Sequence, residues 1–334
     1  MPMQKSPAAV PQSTHNDPFS AVSVATTARL HFGFFDPSGK SSKPFGSFGL
    51  SLSEPWTRLT LRRASENAVH GPEAERAARY LDTIRTAHGI EQAYSLDIEA
   101  AIPSHAGLGS GTQLALAVGT AFGRLEGLDL SPPKIAALLE RGTRSGIGIA
   151  TFEVGGAILD SGPRDGALPQ LVTRAAFPER WRALLIFDPE AKGLDGADEL
   201  AAFETLPAYS EDERAALEAR IVERALPALE TADFGAFCDE VGHLQARMGA
   251  YFAPLQGGVF TSRRVAAVVA ALRAAGARGL GQSSWGPTGF AFAETEADGL
   301  RLLDVASKAD RNGTLRFVMA RGRNEGAEIT ELSA

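Results

Sequence analysis

Apolar positions along this chain follow two rhythms, a period of two and a period near 3.6, and their order outlines the architecture. Residues 21–35 alternate and are rich in Val, Thr and Phe, which predicts a strand. Asp36-Pro37-Ser38-Gly39-Lys40 reads as a turn, and further strands are expected at 44–51 and 57–62. Residues 73–88 carry Ala77, Tyr80, Leu81 and Ile84 on one helical face. A strand at 94–100 leads to glycines at 107, 109 and 111, and then Leu114, Ala115, Val118, Ala121, Phe122 and Leu125 recur at helical spacing. Ser131 is placed to cap a short helix with Pro132 at its first position. Residues 143–148 read as a polar turn and 152–160 as a strand.

Loop punctuation at 163–169 marks a boundary. Beyond it come a short apolar strand at 184–187, helices at 211–229, 233–251 and 262–275, strands at 278–281 and 289–292, a helix at 296–310 and a strand at 314–321. The expected class is α+β in two domains. The first, 21–165, is a mixed sheet with helices packed on it. The second, 166–334, has the element order of a ferredoxin-like domain. Residues 1–20, rich in Pro, Ser, Gln and Asn, read as a disordered tail.

Composition narrows the function classes. The 334 residues are 44% hydrophobic and 22% charged, ordinary for a globular protein. The formal charge is −7 and no basic stretch stands out, so nucleic acid is not an expected partner. An anionic substrate must be gripped by local cations and helix termini. No apolar run reaches the roughly 18–20 residues of a membrane span, and the first residues lack the apolar core of a signal peptide, so no membrane association and a cytoplasmic location are expected. Cys238 is the only cysteine, which excludes an internal disulfide; its neighbours Phe234, Phe237 and Val241 mark it as a small core residue.

The chemistry centres on the strand, glycine loop and helix between 94 and 125. Glycines let the backbone turn sharply and approach a ligand, and the helix start behind them offers free N–H donors with partial positive charge. Such a loop is suited to phosphate or pyrophosphate. It is not a Walker A loop, because no Lys-Ser/Thr pair follows the last glycine, and its spacing is not the dinucleotide fingerprint. Gly107, Leu108, Gly109, Ser110, Gly111, Thr112 and Gln113 are the phosphate-binding candidates. Zinc and hydrolase motifs are absent from the sequence.

Three segments together resemble the GHMP kinase superfamily: Pro103-x-x-x-Gly107-Leu108-Gly109-Ser110, the run from Ser145 through Gly148 to Gly155-Gly156, and Leu280-Gly281-Gln282-Ser283-Ser284-Trp285-Gly286-Pro287-Thr288-Gly289. The resemblance implies a GHMP-kinase-like two-domain fold. Many of these kinases carry an Asp at the fourth position of the second segment, where it handles the proton of the substrate hydroxyl. Here that position is Gly148, which cannot act as a base.

Adding Arg29-Leu30-His31-Phe32-Gly33-Phe34-Phe35-Asp36, the sequence resembles a narrower, non-kinase family of that superfamily, the β-ribofuranosylaminobenzene 5′-phosphate synthases, from about residue 28 to 320. The resemblance implies condensation of phosphoribosyl pyrophosphate with 4-aminobenzoate, loss of carbon dioxide and pyrophosphate, a place in tetrahydromethanopterin biosynthesis, Mg²⁺ or another divalent cation, and a homodimer. It points to Arg29, His31 and Asp36 as catalytic candidates. Lys40, Thr143, Arg144, Ser145, Gly146, Ser283, Ser284 and Gly286 are candidates for holding substrate. Ser110 and Glu153 are candidates for touching the metal, with Asp36 as a further carboxylate. An ATP-dependent small-molecule kinase is the alternative, and a GHMP-fold protein that binds without turnover is a third.

Overall fold

The computed structural model describes residues 20–193 and 205–333. The disordered reading of 1–20 falls almost wholly outside them. Strand β1 (Ala21–Asp36) is the axis of a first, seven-stranded sheet. It pairs antiparallel on one side with β2 (Phe45–Ala64) and on the other with β11 (Glu328–Leu332). β4 (Ala93–Ala100) and the short β3 (Ala68–His70) extend the sheet beyond one end of β2. β5 (Ala157–Asp160) pairs with the other end, and β6 (Leu171–Ala175) pairs with β5. β2 is one strand where the sequence suggests two: the stretch around Pro55 falls in an irregularity of the β1–β2 register between Ser51 and Trp56, where a missing N–H breaks no ladder bond.

A second sheet is antiparallel, in the order β10 (Arg316–Ala320), β7 (Arg182–Phe187), β9 (Gly289–Ala293), β8 (Arg278–Gln282). This is the expected ferredoxin-like arrangement. The first sheet nevertheless takes in β6 and β11 from beyond residue 165.

Helices cover the sheets. α1 (Ala74–Ala87), α2 (Ser110–Leu125), α3 (Pro132–Leu138) and α4 (Ile147–Val154) belong with the first. The segment from 211 to 230 is α5 (Glu211–Arg220), a π-helical turn (Ile221–Ala225) and α6 (Leu226–Glu230). α7 (Phe234–Gln256), α8 (Arg263–Ala274) and α9 (Glu296–Ala309) follow. The strand expected at 152–160 is corrected: Phe152 and Glu153 lie in α4, and only Ala157–Asp160 is extended. Every residue from Ile147 to Phe152 is buried, so the apolar run has no period to tell helix from strand, and Gly155-Gly156 makes the break.

The two sheets share one core. Phe32 of β1 is fully buried, with ring contacts to Phe48 of β2, Phe237 of α7, and Phe290 and Phe292 of β9. Cys238 is buried in the same core, where loss of hydration pushes its thiol pKa up. Among the described residues no helix is long and apolar enough to cross a membrane.

Candidate active site

A cleft of about 530 Å³ opens where β1, the glycine loop and the 283–286 turn meet. Two irregularities in the β1–β2 register, between Thr27 and Arg29 and between His31 and Gly33, bracket the residues that β1 presents to it. Arg29 and His31 lie two apart on one face of the strand.

The glycine loop is fixed against this strand. The Arg29 N–H donates to Leu108 O at 3.1 Å, and Arg29 Nη1 donates to Gly107 O at 2.6 Å. Ser283 Oγ donates to the same carbonyl at 2.6 Å and accepts from the His31 N–H at 3.0 Å. The Ser284 N–H donates to His31 O at 3.2 Å. One buried hydroxyl therefore joins β1, the glycine loop and the 283–286 turn. Gly107 has φ +73°, and a Cβ there would lie 2.2 Å from Ser283 O, so only glycine fits. Gly109, at φ +80°, is the N-cap of α2.

Of the expected site residues, the cleft is lined by Arg29, His31, Gly107, Leu108, Gly109, Ser110, Gly111, Thr112, Thr143, Arg144, Ser145, Ser284 and Gly286. The others sit elsewhere. Gln113 is fully buried; its side chain takes a hydrogen bond from Thr26 Oγ1 and donates to Gly148 O at 2.7 Å, tying α2 to β1 and α4 instead of facing an anion. Asp36 is fully buried at the last position of β1, where its carboxylate holds the following turn by accepting from the Ser38 N–H (2.9 Å), Ser38 Oγ (2.5 Å) and the Ser41 N–H (3.0 Å). Lys40 Nζ donates to Leu206 O at 2.7 Å. Glu153 stands on α4 and does not line the cleft. Ser283 supports the loop from behind. Gly146 lies under the 143–146 turn, its N–H given to Asp160 Oδ2 at 2.8 Å.

Asp160 is a positioning residue that sequence reasoning missed. It is buried at the end of β5 and accepts from Ser47 Oγ (2.5 Å), Ser145 Oγ (3.1 Å), and the Gly146 and Gly162 N–H groups (both 2.8 Å). The turn carrying Thr143 and Arg144 is thereby held to the sheet. Also missed were Arg76, Arg79 and Tyr80 of α1, and His105, Glu140 and Arg141, all of which line the cleft. From sequence, Arg76 and Arg79 lie off the apolar face of α1, and Tyr80 counts as part of that face with Ala77, Leu81 and Ile84.

The cleft is strongly cationic in an acidic protein. Five arginines (29, 76, 79, 141 and 144) line it against one carboxylate, Glu140. His31 is buried, its ring centroid 4.5 Å from that of Phe34, and neither ring nitrogen has a hydrogen-bond partner. Burial, and then the charges of Arg29 and Arg144, hold its pKa well below the ordinary histidine range, so it is neutral at pH 7. Phe34 and Trp285 give this inner end an apolar wall. Among the described residues no three His, Cys, Asp or Glu side chains cluster to hold a metal. The side-chain oxygens that line the cleft are the hydroxyls of Tyr80, Ser110, Thr112, Thr143, Ser145 and Ser284 and the single carboxylate of Glu140; one carboxylate among hydroxyls is a weak ligand set for a hard cation, so substrate phosphate would have to complete any metal site here.

Gly148 lies below the cleft, not in it. A Cβ there would meet Thr112 Cγ2 at 3.0 Å and Cβ at 3.4 Å, so this position packs α4 against the first turn of α2.

A two-domain fold with a glycine loop at a helix start and a site between its sheets defines a GHMP-type protein. The family models agree: the GHMP kinases N terminal domain matches residues 74–156 and the GHMP kinases C terminal domain matches 225–312, together just over half of the chain. The chain belongs to the GHMP kinase superfamily. Within it, the chain is similar to the beta-ribofuranosylphenol 5′-phosphate synthase of Archaeoglobus fulgidus, 29% identical over 92% of this chain and 98% of that protein. It is also similar to the protein of the same name from Methanothermobacter thermautotrophicus, 25% identical over 91% and 97%. Among solved structures, homoserine kinase from Cytophaga hutchinsonii matches with a TM-score of 0.65 at 16% identity, covering 97% of this chain and all of that one. Mevalonate diphosphate decarboxylase from Staphylococcus aureus matches with a TM-score of 0.65 at 15% identity, covering 94% and 98%. These last two show the shared fold.

Proposed function

We propose that this protein is a decarboxylating C-glycoside synthase that condenses phosphoribosyl pyrophosphate with a para-substituted benzoate, releasing carbon dioxide and pyrophosphate. The observation that carries the reading is Gly148. The cleft keeps the superfamily's phosphate loop, while the place of the kinase base is a glycine packed on Thr112. The names of the curated relatives support the same reaction class.

In this reading pyrophosphate rests on the loop from Gly107 to Thr112, with Arg29 beside it. Arg144 and the hydroxyls of Thr143 and Ser284 hold the remaining phosphate or carboxylate groups. The aromatic ring stacks at the inner end, against Phe34 and Trp285. The carboxylated ring carbon attacks C1′, and the C1′–O electron pair leaves with pyrophosphate. The C–CO2 bond then breaks and returns its pair to the ring. The para substituent donates electrons to that carbon, so no side chain has to deprotonate an alcohol. Neutral His31 adds no positive charge where oxocarbenium character develops. Asp36 and Lys40 enter through the turn they hold at the end of β1. Mg²⁺, if bound, would neutralise phosphate charge, and Ser110 is the residue placed to touch it.

The family resemblance implies 4-aminobenzoate as acceptor, whereas the relatives' names contain a phenol, which would require the 4-hydroxy compound. Both supply a para donor. The product is assigned to the pterin-linked arm of tetrahydromethanopterin synthesis, and the enzyme to a homodimer. The test is release of labelled carbon dioxide from carboxyl-labelled 4-aminobenzoate or 4-hydroxybenzoate with phosphoribosyl pyrophosphate and Mg²⁺. Failure with both acceptors, or steady ADP formation from ATP that depends on a small alcohol, defeats the proposal.

A further inference from the structure

The wall of the cleft facing the start of α2 is made by residues with no role so far. α1 contributes Arg76 and Tyr80, and the segment after α3 contributes Arg141. They face Gly111, in the first turn of α2. A Cβ on Gly111 would lie 3.7 Å from Arg141 Nη1, and 3.8 Å from both Arg76 Nη1 and Tyr80 Oη. Two guanidinium groups and a phenol, from α1 and from the segment after α3, converge where α2 exposes its unpaired N–H groups. They are already positioned: Arg141 Nε donates to Leu139 O at 3.0 Å, and its guanidinium carbon lies 5.7 Å from the Tyr80 ring centroid. Arg76 pairs with Glu73 at 3.4 Å.

We propose that Arg76, Tyr80 and Arg141 form a diphosphate clamp that grips the pyrophosphate on the start of α2 and stabilises it as it departs. The identity of that anion rests on the reaction proposed above. The apolar wall of Phe34 and Trp285 puts the acceptor ring, and hence C1′, at the His31 end of the cleft. The leaving group then extends along the loop toward Gly111. As the C1′–O bond breaks, its electron pair moves onto pyrophosphate, which gains one negative charge. The two guanidinium groups oppose that charge from fixed positions without moving a proton, and the Tyr80 hydroxyl donates to a phosphate oxygen.

Calorimetry in EDTA tests the clamp without turnover, with inorganic pyrophosphate and ribose 5-phosphate as separate probes. Wild type is expected to bind pyrophosphate. Arg76→Gln and Arg141→Gln should each weaken it about tenfold to a hundredfold, the scale of one charge-assisted hydrogen bond, and leave ribose 5-phosphate within about twofold. Tyr80→Phe, which removes one oxygen, gives a smaller loss, and Arg141→Lys recovers part of the affinity. Thermal melts of each variant confirm folding. No pyrophosphate binding by wild type, unchanged affinity in both glutamine variants, or equal losses for the two probes overturns the clamp. Carbon dioxide release by wild type judges the reaction separately.

Discussion

Gly111→Ala should make the protein no less stable and a worse binder of pyrophosphate. Unlike Gly107 and Gly109, Gly111 is not in the left-handed region, and the new Cβ would find no atom nearer than 3.7 Å. No strain or clash opposes the methyl. Alanine in a helix is favoured over glycine by up to about 1 kcal/mol, less in a first turn. The methyl, however, fills the space among Arg141 Nη1, Arg76 Nη1 and Tyr80 Oη. A phosphate oxygen must enter there to come within about 2.9 Å of the helix N–H groups. Losing one such charge-assisted bond costs about 1.5–3 kcal/mol, or roughly tenfold to a hundredfold in affinity. Pyrophosphate calorimetry beside a thermal melt reads both quantities. A folded Gly111→Ala protein that binds pyrophosphate as tightly as wild type would refute the placement of the anion over α2.

Three other substitutions probe the frame around the cleft. Ser283→Ala removes the hydroxyl that joins Gly107 O to the His31 N–H; the carbonyl keeps Arg29 Nη1 while the buried His31 N–H loses its acceptor, so about 1–3 kcal/mol of stability should be lost in urea unfolding, with a raised KM for phosphoribosyl pyrophosphate. His31 makes stability fall in acid. The folded protein keeps it neutral while the unfolded chain takes up a proton as pH drops through 6.5, so stability declines below that pH toward the depressed folded value, by at most about 1.4 kcal/mol per pH unit. His31→Asn should flatten that decline in melts taken from pH 7.5 downward, and an unchanged pH dependence would contradict the assignment. Asp36→Asn offers one acceptor oxygen where the Ser38 and Ser41 donors now use two, so its melting temperature should drop by the equivalent of about 1–3 kcal/mol.

Much of the fold could be read from the chain because most elements have a clear period or clear punctuation. α1, α2, α8 and α9 show amphipathic or apolar helical spacing, and glycine loops mark the site. Legibility fails where burial is complete on all sides, as in α4, and where a strand is too short to show a period of two. β3, β6 and β11 have only three to five residues, and β6 and β11 are largely exposed; they are strands because a neighbour supplies the ladder. Within the site, backbone-driven features were readable because glycine reports conformation directly. Side-chain roles were less so. Gln113 and Asp36 look like ligands beside a motif, but each is consumed by local hydrogen bonds that depend on distant strands or on an unseen turn geometry. Arg76 and Arg141 were hidden for the opposite reason: a charged residue on a helix or in a loop resembles ordinary solvated surface until the fold sets it opposite α2.

The pairing of β11 with β1 has a consequence for biosynthesis. Residues 328–332 close the edge of a sheet whose axial strand was made some three hundred residues earlier. While a ribosome is still adding the second domain, the outer edge of β1 from Ala21 to Ala25 stays open and able to pair with another nascent chain. Translation at about 5–20 residues per second leaves that edge exposed for roughly tens of seconds. Chains truncated before residue 328 should therefore aggregate more readily than their loss of core contacts alone would require, and capture by a holdase chaperone should be strongest in the interval before β11 emerges.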